Sequence, residues 1–344
     1  MTSFCETLHK VDNRRLKRLF FNWQGGFFLR PNTGLTLVLL MILLALLPLL
    51  IFKKMYGLPK RGGIPVTLVS RAEGRVYRFD LEQYLVGVVA AEMPAVFDLE
   101  ALKAQAVASR TLAVHRMKRF GGKGCQHFAN ADICDDPAEH QAWLSEASLR
   151  KRWPGWNFYG YYNKIKRAVE ETSGIIMTYQ DRPIDAVFHS TCGGSTASAK
   201  EVWGNEIPYL TRVRCDYDKH SPRYQNTFFF TWAELGHCFK TPGELFKSLS
   251  AATMTDQRRI STLKVGNELI KGSDFRSKLG LTSTCFSWNP TDLGLSFSVI
   301  GYGHGVGMCQ YGADGLAKRG WKFNQILSYY YRGISFQKIQ AKHK

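Results

Sequence analysis

Residues Tyr84 to Thr111 read YLVGVVAAEMPAVFDLEALKAQAVASRT. The apolar run Leu85, Val86, Val88, Val89, Ala90, Ala91 enters as a strand or a helix. It stops sharply at Met93-Pro94, and a fresh helix begins near Asp98. Asp98 can cap that helix, and Glu100 falls in its first turn. Glu92 sits at the stop. A carboxyl with these apolar neighbours is desolvated, which raises its pKa and lets it carry a proton near neutrality, as a general acid must. The alternative is a solvated glutamate at a helix end.

Downstream, Lys103 and Arg110 are seven residues apart and share one helical face. Ala101, Ala104, Ala106 and Ala108 keep the helix surface small, so neighbouring backbone can come close. On such a helix a basic pair can present its charge to an anionic or polar ligand. A solvated basic face is the other reading.

These 28 residues resemble the signature of the stage II sporulation protein D family, related to the amidase-enhancer LytB proteins. A second motif is GYGHGVGMCQYGA, Gly301 to Ala313. A third, His189-Ser190-Thr191-Cys192-Gly193-Gly194, lies between them. The resemblance spans roughly Val66 to Phe336, with the motifs in order, and three long motifs in order are far more specific than one. Members resemble peptidoglycan lytic transglycosylases that act during engulfment in endospore formers. The resemblance places the catalytic glutamate on Glu92 and the associated helix cations on Lys103 and Arg110. It also implies a sporulation membrane protein and a cell-wall amidase as partners.

The 344 residues carry a net charge of +18, which favours anionic partners: nucleic acid, an anionic membrane or an acidic polymer. No zinc-finger spacing, RNP signature or basic repeat supports nucleic acid, so nucleic acid is not an expected partner. Glycan strands stripped of their peptides expose lactyl carboxylates and suit a basic cleft. Eight cysteines are widely scattered and do not form a dense disulfide framework.

The mixed, basic segment 1–33 reads as a cytoplasmic tail. Leu35 to Phe52, LTLVLLMILLALLPLLIF, is uncharged and just long enough to span a bilayer. Lys53-Lys54 follows at once with no small-residue cleavage site, which favours an uncleaved anchor at 34–53 over a signal peptide. The linker 54–63 contains YGLPKRGG. The expectation is therefore a single-pass protein of the cell membrane, with its N-terminus cytoplasmic. Residues 64–340 then form one mixed α+β extracytoplasmic domain, placed by the family resemblance on the mother-cell membrane of a sporulating cell.

Within that domain, Ile64 to Phe79 alternates around Glu73-Gly74 as a hairpin. The long helix runs to about Phe120. Leu144 to Glu171 reads as helix broken at Pro154-Gly155, and Ile175 to Tyr179 and Ile184 to His189 as strands. PYLTRV, ending at Val213, reads as a strand, and Phe228 to Leu249 as short helices. Arg259 to Val265 and Phe297 to Tyr302 read as strands, followed by a glycine loop, a helix from near Val306, a last helix Asn324 to Tyr331 and a final strand.

Between them, Gly121 to Trp143 contains Cys125, His127, Cys134 and His140, all plausible zinc ligands in a compact span. It is not a standard finger spacing. Some members of the resembled family bind zinc in this loop through His and Cys. They carry Cys where His140 stands here, and His127 is one residue out of register with the family's His. A structural zinc and a plain polar loop are the two readings. His189, Ser190, His304 and Gln310 are candidate polar contacts for a sugar. A Ser-His or Cys-His nucleophile matches no signature here.

The function expected is cleavage of peptidoglycan glycan strands after N-acetylmuramic acid, leaving 1,6-anhydro ends. One rival is a non-catalytic glycan-binding activator of a cell-wall amidase. The other is a zinc hydrolase centred on Cys134 and His140.

Overall fold

The computed structural model describes residues 40–44, 63–136 and 139–339. The chain divides into two compact units, Met1–Lys60 and Arg61–Lys344. Of the first, residues 40–44 are helical with exposed side chains. The expected tail 1–33, the rest of the apolar run and the linker up to residue 62 lie outside the described residues. Among the described residues, no helix is long and apolar enough to cross a membrane.

The second unit is α+β. The expected hairpin forms from β1 (Pro65–Ser70) and β2 (Arg75–Asp80), paired antiparallel from Pro65↔Asp80 to Ser70↔Arg75. Asp80 ends β2 and caps the next helix, α1 (Leu81–Glu92), in a reciprocal capping box with Gln83. The ambiguous apolar run is therefore helix. Its side chains are buried on almost every face, from Leu81 through Ala90, which is why it lacks the one-sided pattern of a surface helix. The helix stops at Met93, whose backbone is extended ahead of Pro94.

Asp98 then caps α2 (Leu99–Arg116), its carboxylate accepting from the Glu100 N–H at 2.8 Å. The alanines of α2 are buried, and the helix runs through the centre of the unit against α1, α3 (Trp156–Glu171) and the strand Ile175–Tyr179. That strand is central in a three-stranded antiparallel sheet, flanked by Ser335–Lys338 and Arg182–Pro183.

Here the two cations depart from the sequence expectation. Arg110 is wholly buried: Nε and Nη2 donate to the two oxygens of Glu82 at 2.9 and 2.5 Å, and Nη1 and Nη2 to the carbonyls of Ile175 and Val169 at 3.1 and 3.2 Å. Lys103 is ion-paired to Glu100 at 2.8 Å and to Glu171 at 2.6 Å. Both cations tie α2 to its neighbours, because the face they share points into the protein.

Other expectations shift locally. The strand expected over Ile184 to His189 is confined to Phe188–His189, and PYLTRV forms no strand; the short strand is Arg214–Cys215. The Phe-rich start of Phe228 to Leu249 belongs to the strand Gln225–Thr231, with Phe229 exposed and Phe228 and Phe230 packed inward, a period of two. This strand helps enclose a second core, separate from the one around α2, in which Phe246, Phe275, Phe286 and Phe297 are buried.

Arg110→Ala should lower unfolding stability by about 3 kcal/mol or more, since it strips Glu82 of its charge partner and removes a buried guanidinium that also bonds two carbonyls. Urea denaturation checks this. An Arg110→Ala protein as stable as the parent would contradict the structural role given to the guanidinium.

Candidate active site

Glu92 is the last residue of α1, where helix carbonyls run out of partners. Three groups converge on that end. Met93 N–H donates to the Val89 carbonyl at 3.0 Å, Arg152 Nη1 to the Ala90 carbonyl at 3.2 Å, and Gln310 Nε2 to the Glu92 carbonyl at 3.0 Å. The side chain is half-buried, and its Oε1 accepts from the Ala142 N–H at 2.8 Å. Burial pushes this carboxyl above the ordinary range, and the Ala142 amide partly opposes the shift. Glu100 behaves in the opposite way: burial raises it, but Lys103 and the Phe323 N–H outweigh that and hold it low.

The Ala142 amide is delivered by close packing. The segment after His140 runs along α1, and Leu144 N–H donates to the Gly87 carbonyl at 3.3 Å. A Cβ on Gly87 would lie 2.2 Å from Trp143 Nε1 and 2.7 Å from the Leu144 carbonyl. A glycine inside an otherwise apolar helix was the one trace in the sequence of this approach, since a backbone amide has no side-chain signature.

Gln310 opens the helix α4 (Gln310–Ala317) and is buried, bonded also to Gln105 Oε1 at 3.2 Å. It is therefore placed to fix Glu92, and its amide nitrogen is engaged within the protein. The same helix holds the loop after Glu92, with Asp98 N–H donating to Asp314 Oδ1 at 2.8 Å and Phe97 edge-on to Tyr311, centroids 4.8 Å apart.

The two histidines are likewise spent on the fold. His189 is buried and its Nδ1 lies 3.0 Å from the Val306 carbonyl. His304 Nε2 is 2.9 Å from the Phe188 carbonyl, while its Nδ1 accepts from Val306 N–H at 3.1 Å. These partners assign the proton to Nδ1 in His189 and to Nε2 in His304. Burial lowers both, His304 to about 4, so both rings are neutral at pH 7. They pin the glycine loop onto the Phe188–His189 strand. Gly301, Gly303, Gly305 and Gly307 all have positive φ, and a Cβ on Gly307 would meet the Val187 carbonyl at 2.0 Å. Ser190 is half-exposed, and its hydroxyl makes a long contact of 3.3 Å to Thr191 Oγ1. Its carbonyl accepts from Tyr311 N–H at 3.1 Å, so the HSTCGG run and α4 form one wall. Tyr311, half-exposed on that wall, was not singled out in the sequence.

In the Cys/His loop, Cys125, Cys134 and Glu139 bring ligand atoms within 4.8 Å of one another. His140 Nδ1 lies 3.3 Å from Cys134 Sγ, and its Nε2 is buried without a partner. His127 stands outside, mostly exposed, bonded to Glu139 Oε1 at 2.9 Å. Thus Cys125 and Cys134 come together with Glu139, which takes the place given to His127, while His140 adjoins the cluster through Cys134. Two thiols and a carboxylate, with the His140 Nδ1 beside one of the thiols, are a donor set that fits a zinc ion.

The stage II sporulation protein (SpoIID) family matches residues 70–179. Stage II sporulation protein D of Bacillus subtilis (strain 168) is 37% identical over 82% of this chain and 81% of its own length. Its counterpart in Bacillus amyloliquefaciens is 35% identical over the same shares. The amidase enhancer of Bacillus subtilis (strain 168) is 26% identical over 73% of this chain, which is 40% of that protein.

A carboxyl whose folded pKa lies above its unfolded value of about 4.3 makes the folded state bind the extra proton, so stability falls as pH rises between the two values. Glu92→Gln removes that loss. The variant should melt higher than the parent at pH 7, and the difference should shrink as pH approaches about 4. A variant less stable than the parent at pH 7 and equal to it at pH 4 would reverse the sign of the shift.

Proposed function

Because the chain belongs to the stage II sporulation protein D family, we propose that it is a peptidoglycan lytic transglycosylase in which Glu92 is the catalytic acid and base. One observation carries the reading: Glu92 is a half-buried carboxyl pushed up by burial, held at a helix end and still reaching solvent.

In the proposed reaction, protonated Glu92 gives its proton to the glycosidic oxygen that follows N-acetylmuramic acid, and the C1–O bond breaks. The C6 hydroxyl of the same sugar closes onto C1, forming the C1–O6 bond, and its proton returns to Glu92. No water enters, so a second carboxylate to activate one is not required, in contrast to ordinary glycosidases. Intramolecular closure avoids most of the entropic cost of recruiting a second reactant. The Ala142 N–H stabilises the carboxylate formed midway. The nearby carboxyls are otherwise engaged: Asp98 caps α2, Glu100 pairs with Lys103, and Asp314 bonds His220 and Lys318. Ser190 and Tyr311 are the polar side chains of the wall open to a glycan. The net charge of +18 suits strands that expose lactyl carboxylates.

Zinc in the loop, held by Cys125, Cys134, Glu139 and His140, would be structural, fixing the segment that delivers the Ala142 amide. The reading includes a single-pass anchor with the domain outside the cytoplasm, acting in septal peptidoglycan remodelling and engulfment. The relative named amidase enhancer favours a second reading, a glycan-binding activator of a cell-wall amidase, which needs no chemistry from Glu92.

Glu92→Gln separates the two. Release of soluble fragments from purified glycan strands should fall on the order of a hundredfold or more, with strand binding retained in co-sedimentation. A Glu92→Gln protein that releases fragments at the parent rate would remove Glu92 from the mechanism; a parent that releases none yet stimulates an amidase would favour the second reading. Cys134→Ala should lose about one zinc per chain, read by elemental analysis, and melt lower. Unchanged metal content would place any bound zinc elsewhere.

A further inference from the structure

Away from the Cys125–His140 loop, a second constellation of soft ligands lies under the active-site wall. Cys192, Cys215, Asp218 and Cys309 are all buried, and their ligand atoms lie within 4.8 Å of one another. They come from four segments: the HSTCGG turn, the Arg214–Cys215 strand, the turn after it, and the residue that caps α4. None of the three thiols is in a disulfide. An odd number of thiols cannot be consumed by pairing. A tetrahedral zinc with Zn–S near 2.3 Å sets its sulfur ligands roughly 3.8 Å apart, so the separations present, all within 4.8 Å, need to change by about 1 Å or less.

The surroundings are those of a charged centre. Cys309 Sγ accepts from the N–H groups of Cys192 and Gly312, both at 3.3 Å. The Tyr330 hydroxyl is 3.2 Å from Cys215 Sγ. Asp218 Oδ2 accepts from Cys192 and Gly193 N–H at 2.9 and 2.8 Å and lies 3.1 and 3.6 Å from the sulfurs of Cys192 and Cys309. Amides and hydroxyls directed at sulfur are the second layer that thiolate metal sites use. Asp218 is fully buried, and its Oδ1 has no hydrogen-bond partner, which is costly without a compensating cation. The packing is close: a Cβ on Gly312 would meet Cys215 Sγ at 2.5 Å. A cavity of about 260 Å³, lined by Cys192, Gly193 and Arg259 among others, adjoins one member of the cluster.

We propose that Cys192, Cys215, Asp218 and Cys309 form a second, structural zinc site. The predominance of thiolates selects zinc over hard cations, and four protein ligands leave no open position for chemistry. Each thiol releases its proton as the metal binds. The site clamps Cys309, and Gln310, the next residue, holds the Glu92 carbonyl. The metal therefore locks the wall on which the proposed catalytic carboxyl is mounted. The site itself stands independently of that reaction.

The test uses the full-length chain carrying Cys134→Ala, which disables the loop site. Purified without chelator, it should hold about one zinc per chain by mass-spectrometric elemental analysis, and adding Cys309→Ser should reduce this to near zero. Because that variant could fail to fold, the Cys134→Ala chain is also exchanged with cobalt(II). A thiolate-to-cobalt charge-transfer band with tetrahedral ligand-field bands is expected, absent in Asp218→Asn or altered in its ligand-field region. In denaturant with chelator, the seven remaining thiols of the eight should all titrate. Folded, metal-free Cys134→Ala protein, or five titratable thiols signalling a disulfide, would overturn the proposal. So would full zinc retention in the Cys309→Ser double variant.

Discussion

The hydrogen bond from Gln310 Nε2 to the Glu92 carbonyl, 3.0 Å long and bridging 218 residues of sequence, is where the two ends of the domain meet. A helix leaves its last carbonyls without partners, and α1 ends at Glu92, the proposed catalytic residue. Leaving that carbonyl buried and unpaired would cost about 1–3 kcal/mol, so the C-terminal glycine motif and the N-terminal helix are mutually required. The bond from Asp98 N–H to Asp314 Oδ1 repeats the tie on the other side of the Met93-Pro94 break. Between these anchors the Glu92 backbone is fixed while its carboxyl stays half-exposed. That combination lets burial shift the pKa without sealing the group from a ligand.

The same logic explains why so few polar groups of the motifs face outward. His189 bonds the Val306 carbonyl of the glycine loop through Nδ1, and His304 bridges the Phe188 carbonyl and the Val306 N–H through its two ring nitrogens. Arg110 is enclosed by Glu82 and two carbonyls. A site built on a short stretch after a helix needs a stiff support, and these residues supply it. Ser190 and Tyr311 remain at the surface of that support, with Glu92 between the HSTCGG wall and the segment that carries Ala142.

Local chemistry made part of this legible in the sequence. The Met93-Pro94 stop and the Asp98 cap depend on neighbours a few residues away, so the hairpin, the second helix and the position of Glu92 could be read from the residues, whereas the Leu85–Ala91 run, buried on almost every face, carried no periodicity to decide between strand and helix. The burial of the Lys103–Arg110 face could not, because seven-residue spacing defines a face but not what covers it. The Phe228–Phe230 strand was hidden by its all-aromatic composition until the exposure of Phe229 revealed the alternation. The partner of Glu92 is a main-chain amide and left no mark beyond Gly87. Glu139 entered the metal-type cluster for a related reason: residue type singled out Cys and His, and only the fold brings a carboxylate to the place His127 was given.

The central claim is that Glu92 acts alone, with the sugar's own hydroxyl as nucleophile. The most direct measurement is mass spectrometry of the products formed from peptide-stripped glycan strands by the full-length protein in water enriched in oxygen-18. The account predicts fragments ending in 1,6-anhydro-N-acetylmuramic acid with no label incorporated. Reducing N-acetylmuramic acid ends carrying the label would mean hydrolysis, a second catalytic carboxylate and a different mechanism.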